Sequence, residues 1–240
     1  MDTASIKNAF CLSIKTDIQK LNADLQTCLN SQWKEHFNTN DYSGSWTVIA
    51  LRSQTGNTQD ILAHDLDLPF KDTSLMIECA YFKKLIDAML FEKETIRLLQ
   101  LQPNSIVKEH RDMGLAYQFG VFRLHIPIVT DAAVEFMVGN KNLEMKQGEC
   151  WYANFDLPHS VRNNSKQARI HLVIDGKRNI WTDELFAKAG YNFEEEKRKQ
   201  VYSIETKKQM IKNLRFIKTD AAAKMIKRLE LEITNTANTK

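Results

Sequence analysis

Arg123-Leu124-His125-Ile126-Pro127-Ile128 alternates polar with aliphatic residues, and the pattern returns as Arg169-Ile170-His171-Leu172-Val173-Ile174. Successive side chains of an extended chain point to opposite faces, so each segment reads as a strand with an arginine and a histidine on one face and an aliphatic stripe on the other. If the stripes pack on helices or a second sheet, the polar pairs line a cavity suited to a small anion. On a sheet with one wet side they simply meet solvent, and the repeat alone leaves both possibilities open. With these two, at 121–129 and 169–175, short strands are expected at 46–52, 95–102, 133–138, 143–146 and 149–154, with Gly and Asn at the turns. Such spacing points to a sandwich or barrel.

Upstream, Ile14, Ile18, Leu21, Leu25, Leu29 and Trp33 recur at three- or four-residue steps, predicting an amphipathic helix over 14–33; Phe82, Leu85, Ile86, Met89 and Leu90 mark another over 78–91. Downstream, 181–189 reads as a short helix ended by Gly190, and 203–233 as one or two basic helices. The expected fold is therefore α+β, a mainly β core with flanking helices. The core domain spans 1–180 and a basic helical extension 181–240.

Metal-binding residues gather in the β region. In Ser105-Ile106-Val107-Lys108-Glu109-His110-Arg111-Asp112, His110 and Asp112 project to one side of an extended chain while Arg111 points away, with no chemical role of its own. His159, in Asp156-Leu157-Pro158-His159-Ser160-Val161-Arg162-Asn163, starts a strand expected to form a hairpin with the Arg169 strand through 163–168. Two histidines and one carboxylate make the facial triad of non-haem Fe(II) oxygenases, and Arg169 then supplies a bidentate clamp for a carboxylate. His36 and His64 sit in polar segments and read as surface residues, and His171 as a core histidine. Glu149 and Trp151 read as framework. Arg52 either holds a substrate carboxylate or forms a surface ion pair. His110-Arg111-Asp112 also spells a kinase catalytic-loop tripeptide, but no Gly-rich loop or Asp-Phe-Gly accompanies it.

The net charge of +3 is unevenly spread: from Lys197 to Arg228 eleven Lys or Arg face only Glu205 and Asp220. Aromatic residues do not interleave these charges regularly, so a solvated helical face is favoured over a nucleic-acid surface. Ile211, Leu214, Phe216, Ile217, Met225, Ile226 and Leu229 offer an apolar stripe for a homodimer or for covering the core. No apolar run suggests a membrane span and no secretory signal is evident; Cys11, Cys28, Cys79 and Cys150 have no paired spacing. A cytoplasmic protein with reduced thiols is expected.

Together, His110-x-Asp112, Arg123-x-His125-x-Pro127, Gly148-Glu149-x-Trp151, Pro158-His159-x-Val161-x-Asn163 and Arg169-x-His171-Leu172-x-x-Asp175 resemble the aspartyl/asparaginyl β-hydroxylase family. The resemblance covers about 46–181. It implies an Fe(II)/2-oxoglutarate dioxygenase on a double-stranded β-helix, a cupin-like jelly roll. On this likeness His110, Asp112 and His159 are the iron ligands and Arg169 binds the distal carboxylate of 2-oxoglutarate. Arg123 and His125 resemble the pair that contacts or orients the cosubstrate. Animal members lack the carboxylate ligand, so Asp112 brings the chain nearer the bacterial amino-acid hydroxylases; Gly44-x-Trp46 and Leu51-Arg52-x-x-x-Gly56 also resemble free-proline hydroxylases, which have a longer C-terminal domain. The implied activity is hydroxylation of an unactivated C–H bond in an amino acid, free or in a peptide, using O2 and converting 2-oxoglutarate to succinate and CO2. The rival is a non-catalytic cupin-like module that binds a carboxylate or a partner. An enzyme acting on nucleic acid ranks below the hydroxylase.

Overall fold

A computed structural model describes residues 7–62, 68–200, 204–215 and 220–237. His64, Phe216 and Ile217 lie outside them. In chain order the strands are β1 (Ala9–Leu12), β2 (Lys34–Glu35), β3 (Tyr42–Ser43), β4 (Trp46–Ser53), β5 (Lys71–Asp72), β6 (Lys93–Leu101), β7 (Ile106–His110), β8 (Val121–Val129), β9 (Val134–Val138), β10 (Lys141–Asn142), β11 (Cys150–Ala153), β12 (His159–Asn163) and β13 (Arg169–Lys177). The helices beside them are α1 (Ile18–Leu29), α2 (Ser74–Glu78), α3 (Ala80–Asp87) and α4 (Ile180–Lys188).

Among the described residues the strands form an eight-stranded sheet, ordered β1-β11-β8-β13-β6-β4-β2 with β5 on β4, and a five-stranded sheet ordered β10-β9-β12-β7-β3. From β6 onward the chain moves between them: β6, β8, β11 and β13 lie in the larger sheet, and β7, β9, β10 and β12 in the smaller. That winding, with antiparallel pairing throughout, is a double-stranded β-helix. Its core joins both sheets through Val48, Leu99, Leu101, Val107, Phe136, Phe155, Val161 and Val173.

The repeated Arg-x-His strands pair with each other. His171 faces Pro127 and Asp175 faces Arg123 on adjacent β13 and β8. The register slips between Ile170 and His171, where Ile128 is skipped, because Pro127 has no N–H to give to a central strand and the ladder bulges around it. The expected hairpin from His159 to Arg169 does not form. β12 pairs with β7 and β9, and β13 with β6 and β8, so the chain crosses between sheets over 164–168. Asn163 holds that crossing, its Nδ2 donating to the carbonyls of Leu101 and Gln167 at 2.9 Å each.

Other departures have local causes. The first helix starts only at Ile18, where Asp17 accepts from the Lys20 N–H (3.2 Å) as an N-cap, and β1 precedes it. The helix expected over 78–91 is α3 alone, ending at Asp87, and the separate short helix α2 precedes it across Cys79. At 143–146 there is no strand: Leu143 and Met145 alternate inward to fill the core without joining a ladder.

Residues Lys7–Tyr191 form one compact unit, which includes α4. The other holds α5 (Phe193–Gln200), α6 (Ile204–Leu214) and α7 (Asp220–Ala237). There α6 and α7 pack on one another; Ile211 and Leu229 are buried while Met225 is exposed. No described helix is long and apolar enough to cross a membrane.

Candidate metal centre

Between the sheets lies a cavity of about 650 Å³. His110 and His159 enter from the smaller sheet, Asp112 from just beyond β7, and Arg97, Arg123, His125, Arg169 and Asp175 from the larger sheet.

Strand pairing makes the histidine pair. His159 sits directly across from His110, whereas Val161 sits across from Val107, so β7 carries one extra residue there. A regular strand would send Val107 and His110 to opposite faces; the bulge turns both toward the cavity, which both line. The Asp112 N–H donates to the Phe155 carbonyl at 3.0 Å, and its Oδ1 lies 3.7 Å from His110 Nε2. One possible ligand atom from each of His110, Asp112 and His159 lies within 4.8 Å of the others.

The ring orientations suit a cation. His110 Nδ1 is 2.8 Å from the Lys108 carbonyl and His159 Nδ1 is 3.0 Å from the Leu157 carbonyl. A carbonyl oxygen only accepts, so Nδ1 bears the hydrogen on each ring and Nε2 keeps a lone pair for a metal. Burial lowers the His159 pKa, which favours the uncharged ring. Two imidazole nitrogens and one carboxylate match the donor set of a non-haem Fe(II) site with open positions.

Behind Asp112 runs a chain of ion pairs that becomes buried at Asp175 and Arg97. Its Oδ2 accepts from Arg123 Nη1 (2.6 Å), and Arg123 donates through Nε (2.6 Å) and Nη2 (3.1 Å) to Asp175. Asp175 Oδ2 also accepts from Arg97 Nη2 (2.7 Å) and the Thr95 hydroxyl (2.6 Å). Burial alone would raise the Asp175 pKa, but Arg123 and Arg97 outweigh it and hold the carboxyl well below its usual range. Asp175→Asn keeps the shape yet leaves two guanidinium groups with one carboxylate, and should cost about 3–5 kcal/mol at pH 7, read from urea midpoints. Because the folded pKa is depressed, the wild-type advantage is complete above the ordinary carboxylate value of about 4 and shrinks as pH falls below it. The asparagine variant should lack that dependence.

Arg169 differs from the other two arginines. It is 2% exposed, its Nη2 donates to His171 Nδ1 (2.8 Å), its guanidinium lies 5.1 Å from the Phe136 ring centre, and its Nε has no partner. Among the described residues no carboxylate pairs with it. Burial pushes its pKa down to about 9, so it remains a cation at neutral pH. A buried charge without a counter-ion is costly until an anion meets it. His125 Nδ1 approaches the same His171 nitrogen at 3.3 Å; burial, then the Arg169 charge, holds both imidazoles well below their ordinary pKa.

Arg52 lies away from this cavity. Its Nη1 donates to Asp72 (2.5 Å), so the ion-pair alternative is the one the structure gives. Arg111 points away as expected and bonds to Asp156, and the Trp151 indole donates to Glu149 (2.8 Å) as framework. His36 is not an incidental surface residue: it stacks on Trp46 and lines the cavity. Nothing in its polar segment signals this. Arg97 also lines the cavity, and its signal in the sequence is a lone charge within Ile96-Arg97-Leu98-Leu99, which calls for a buried partner.

The family model described as aspartyl/asparaginyl beta-hydroxylase matches residues 13–179. L-proline cis-4-hydroxylase of Rhizobium meliloti (strain 1021) is 26% identical over 170 residues, covering 69% of this chain and 59% of that protein. L-proline cis-3-hydroxylase 1 of Streptomyces sp. is 24% identical over 168 residues, covering 68% and 57%. The matched part is thus less than two thirds of the length of either relative. Among solved structures, an oxidoreductase of the 2OG-Fe(II) oxygenase family from Burkholderia pseudomallei is 12% identical with a TM-score of 0.49, covering 72% of this chain and 86% of that one.

Proposed function

The chain belongs to the aspartyl/asparaginyl β-hydroxylase family, and from that membership we propose that it is an Fe(II)- and 2-oxoglutarate-dependent dioxygenase acting on an amino acid, free or in a peptide. The reaction converts substrate, 2-oxoglutarate and O2 to hydroxylated substrate, succinate and CO2. The observation that carries this reading is Arg169, a buried cation without a carboxylate partner among the described residues, lining the same cavity as three convergent metal-ligand atoms.

His110, Asp112 and His159 would hold the iron, which when bound supplies the redox chemistry for activating O2. The Lys108 and Leu157 carbonyls keep each Nε2 aimed inward. Arg123 occupies Asp112 Oδ2, leaving Oδ1 for the metal. Arg169 takes the distal carboxylate of 2-oxoglutarate through charge-assisted hydrogen bonds, with Arg123 and His125 beside it to orient the cosubstrate. Leu99, Phe136, Phe155 and Val161 line the same space and exclude water from it. The amino-acid substrate follows from the relatives named as proline hydroxylases, and the free thiols of Cys11, Cys28, Cys79 and Cys150 fit the cytoplasm.

The test is anaerobic Fe(II) and 2-oxoglutarate binding, followed by 2-oxoglutarate consumption across a panel of amino acids and peptides. A product with one added oxygen atom, identified by mass spectrometry, is expected. A folded protein that binds no iron would instead be the non-catalytic module.

A further inference from the structure

One wall of the cavity is built mainly of aromatic and aliphatic side chains, with Asn38 and Asp41 bonded to each other at its edge. The His36 and Trp46 rings stack with centroids 3.7 Å apart at 13°, and Phe37 stacks against His36 at 4.5 Å. The Asn38 N–H points to His36 Nδ1 (3.4 Å), which places the ring hydrogen on Nε2. Burial, reinforced by Arg97 and Arg123, pushes the His36 pKa down to about 4, so the ring carries no charge at neutral pH. Met113, next to Asp112, and Leu115 extend this wall.

Two of these side chains are unusually open for large hydrophobic residues lining a cavity. Phe37 is 58% exposed and Met113 82%. They offer apolar surface to whatever enters, and entry of an apolar group would remove that surface from water. The cavity's Arg97, Arg123, Asp175 and Asp112 are meanwhile bonded to one another. At about 650 Å³ the cavity is in the range that encloses drug-sized ligands, more than 2-oxoglutarate and a small free amino acid require.

We infer that the substrate is a small molecule in which the amino-acid moiety carries a bulky aromatic or branched aliphatic group, seated against Trp46, His36, Phe37 and Met113. This rests on the hydroxylase reading of the site. It sets the substrate apart from free proline, the substrate in the names of the two relatives.

The experiment uses the full chain with Fe(II) and 2-oxoglutarate and compares L-proline with N-benzoyl-L-proline, and L-alanine with L-phenylalanine. The apolar member of at least one pair should show a kcat/KM for substrate-stimulated 2-oxoglutarate turnover at least tenfold higher. A Phe37→Ser, Met113→Ser double variant, checked for folding by circular dichroism, should reduce that preference at least tenfold. Loss of the visible absorption of the anaerobic Fe(II)–2-oxoglutarate complex in wild type would sink the hydroxylase reading itself. If that complex forms but neither pair shows the preference, the substrate inference alone is overturned. A preference that survives in the double variant overturns it too, since the wall would not be its source.

Discussion

Alanine in place of His110 or His159 should bring substrate-stimulated 2-oxoglutarate turnover to background, a fall of at least about 10³-fold. Losing an outer hydrogen-bond partner of a metal ligand already costs roughly 10–100-fold. Losing the ligand itself removes one of the two Nε2 lone pairs that the Lys108 and Leu157 carbonyls aim inward, so Fe(II) titration should show correspondingly weaker binding. Because the two rings face each other across β7 and β12, either change should be equally damaging. Circular dichroism separates this from misfolding; among the described residues each Nδ1 bonds to a main-chain carbonyl two residues away. Activity undiminished in either variant would remove the assignment of these ligands.

Arg169→Met should produce opposite effects on binding and stability. Two charge-assisted hydrogen bonds to a carboxylate are lost, each worth about 1.5–3 kcal/mol, so the KM for 2-oxoglutarate should rise by roughly 10²–10⁴-fold. The ligand-free protein should nevertheless become more resistant to urea, because the variant replaces a buried cation that has no carboxylate partner with an apolar side chain of similar length. 2-Oxoglutarate should raise the melting temperature of wild type and leave the variant's unchanged. A variant that loses stability while keeping its 2-oxoglutarate affinity would show that Arg169 is a structural residue.

Much of the architecture is legible from local pattern. The strand expected at 121–129 occurs with those bounds, and those at 46–52, 95–102 and 169–175 differ from the observed strands by only one or two residues at either end. These segments bury both faces, and the runs of β-branched and aliphatic residues needed for that burial are unmistakable. The edge strand β1 has four residues, too few for a period to show. At 143–146 alternation reports burial without pairing, since a side chain can fill the core whether or not its backbone joins a ladder.

The site is harder, because its geometry depends on contacts between residues distant in the chain. Placing His110 and Asp112 on one side of a regular strand takes no account of the extra residue in β7 that turns His110 inward with Val107. Local pattern puts His159 and Arg169 on neighbouring strands of one hairpin; they are on different sheets, and face one cavity because the crossing at 164–168 carries the chain from one sheet to the other. His36 joins the wall only because β2 pairs with β4 beside it, bringing its ring onto Trp46.

The chemistry available and the β class of the core are written in residue types and local pattern: strand-forming runs, two imidazoles and a carboxylate suited to a metal, and an arginine set among apolar residues. Those follow from residue type and short-range periodicity, which survive in any environment. Which of those groups meet depends on how the two sheets come together. Arg52 is matched with Asp72 and Arg123 with Asp112 and Asp175, while Arg169 meets no carboxylate among the described residues; counter-ions are assigned by distance across the sheets, and no spacing along the chain encodes that distance.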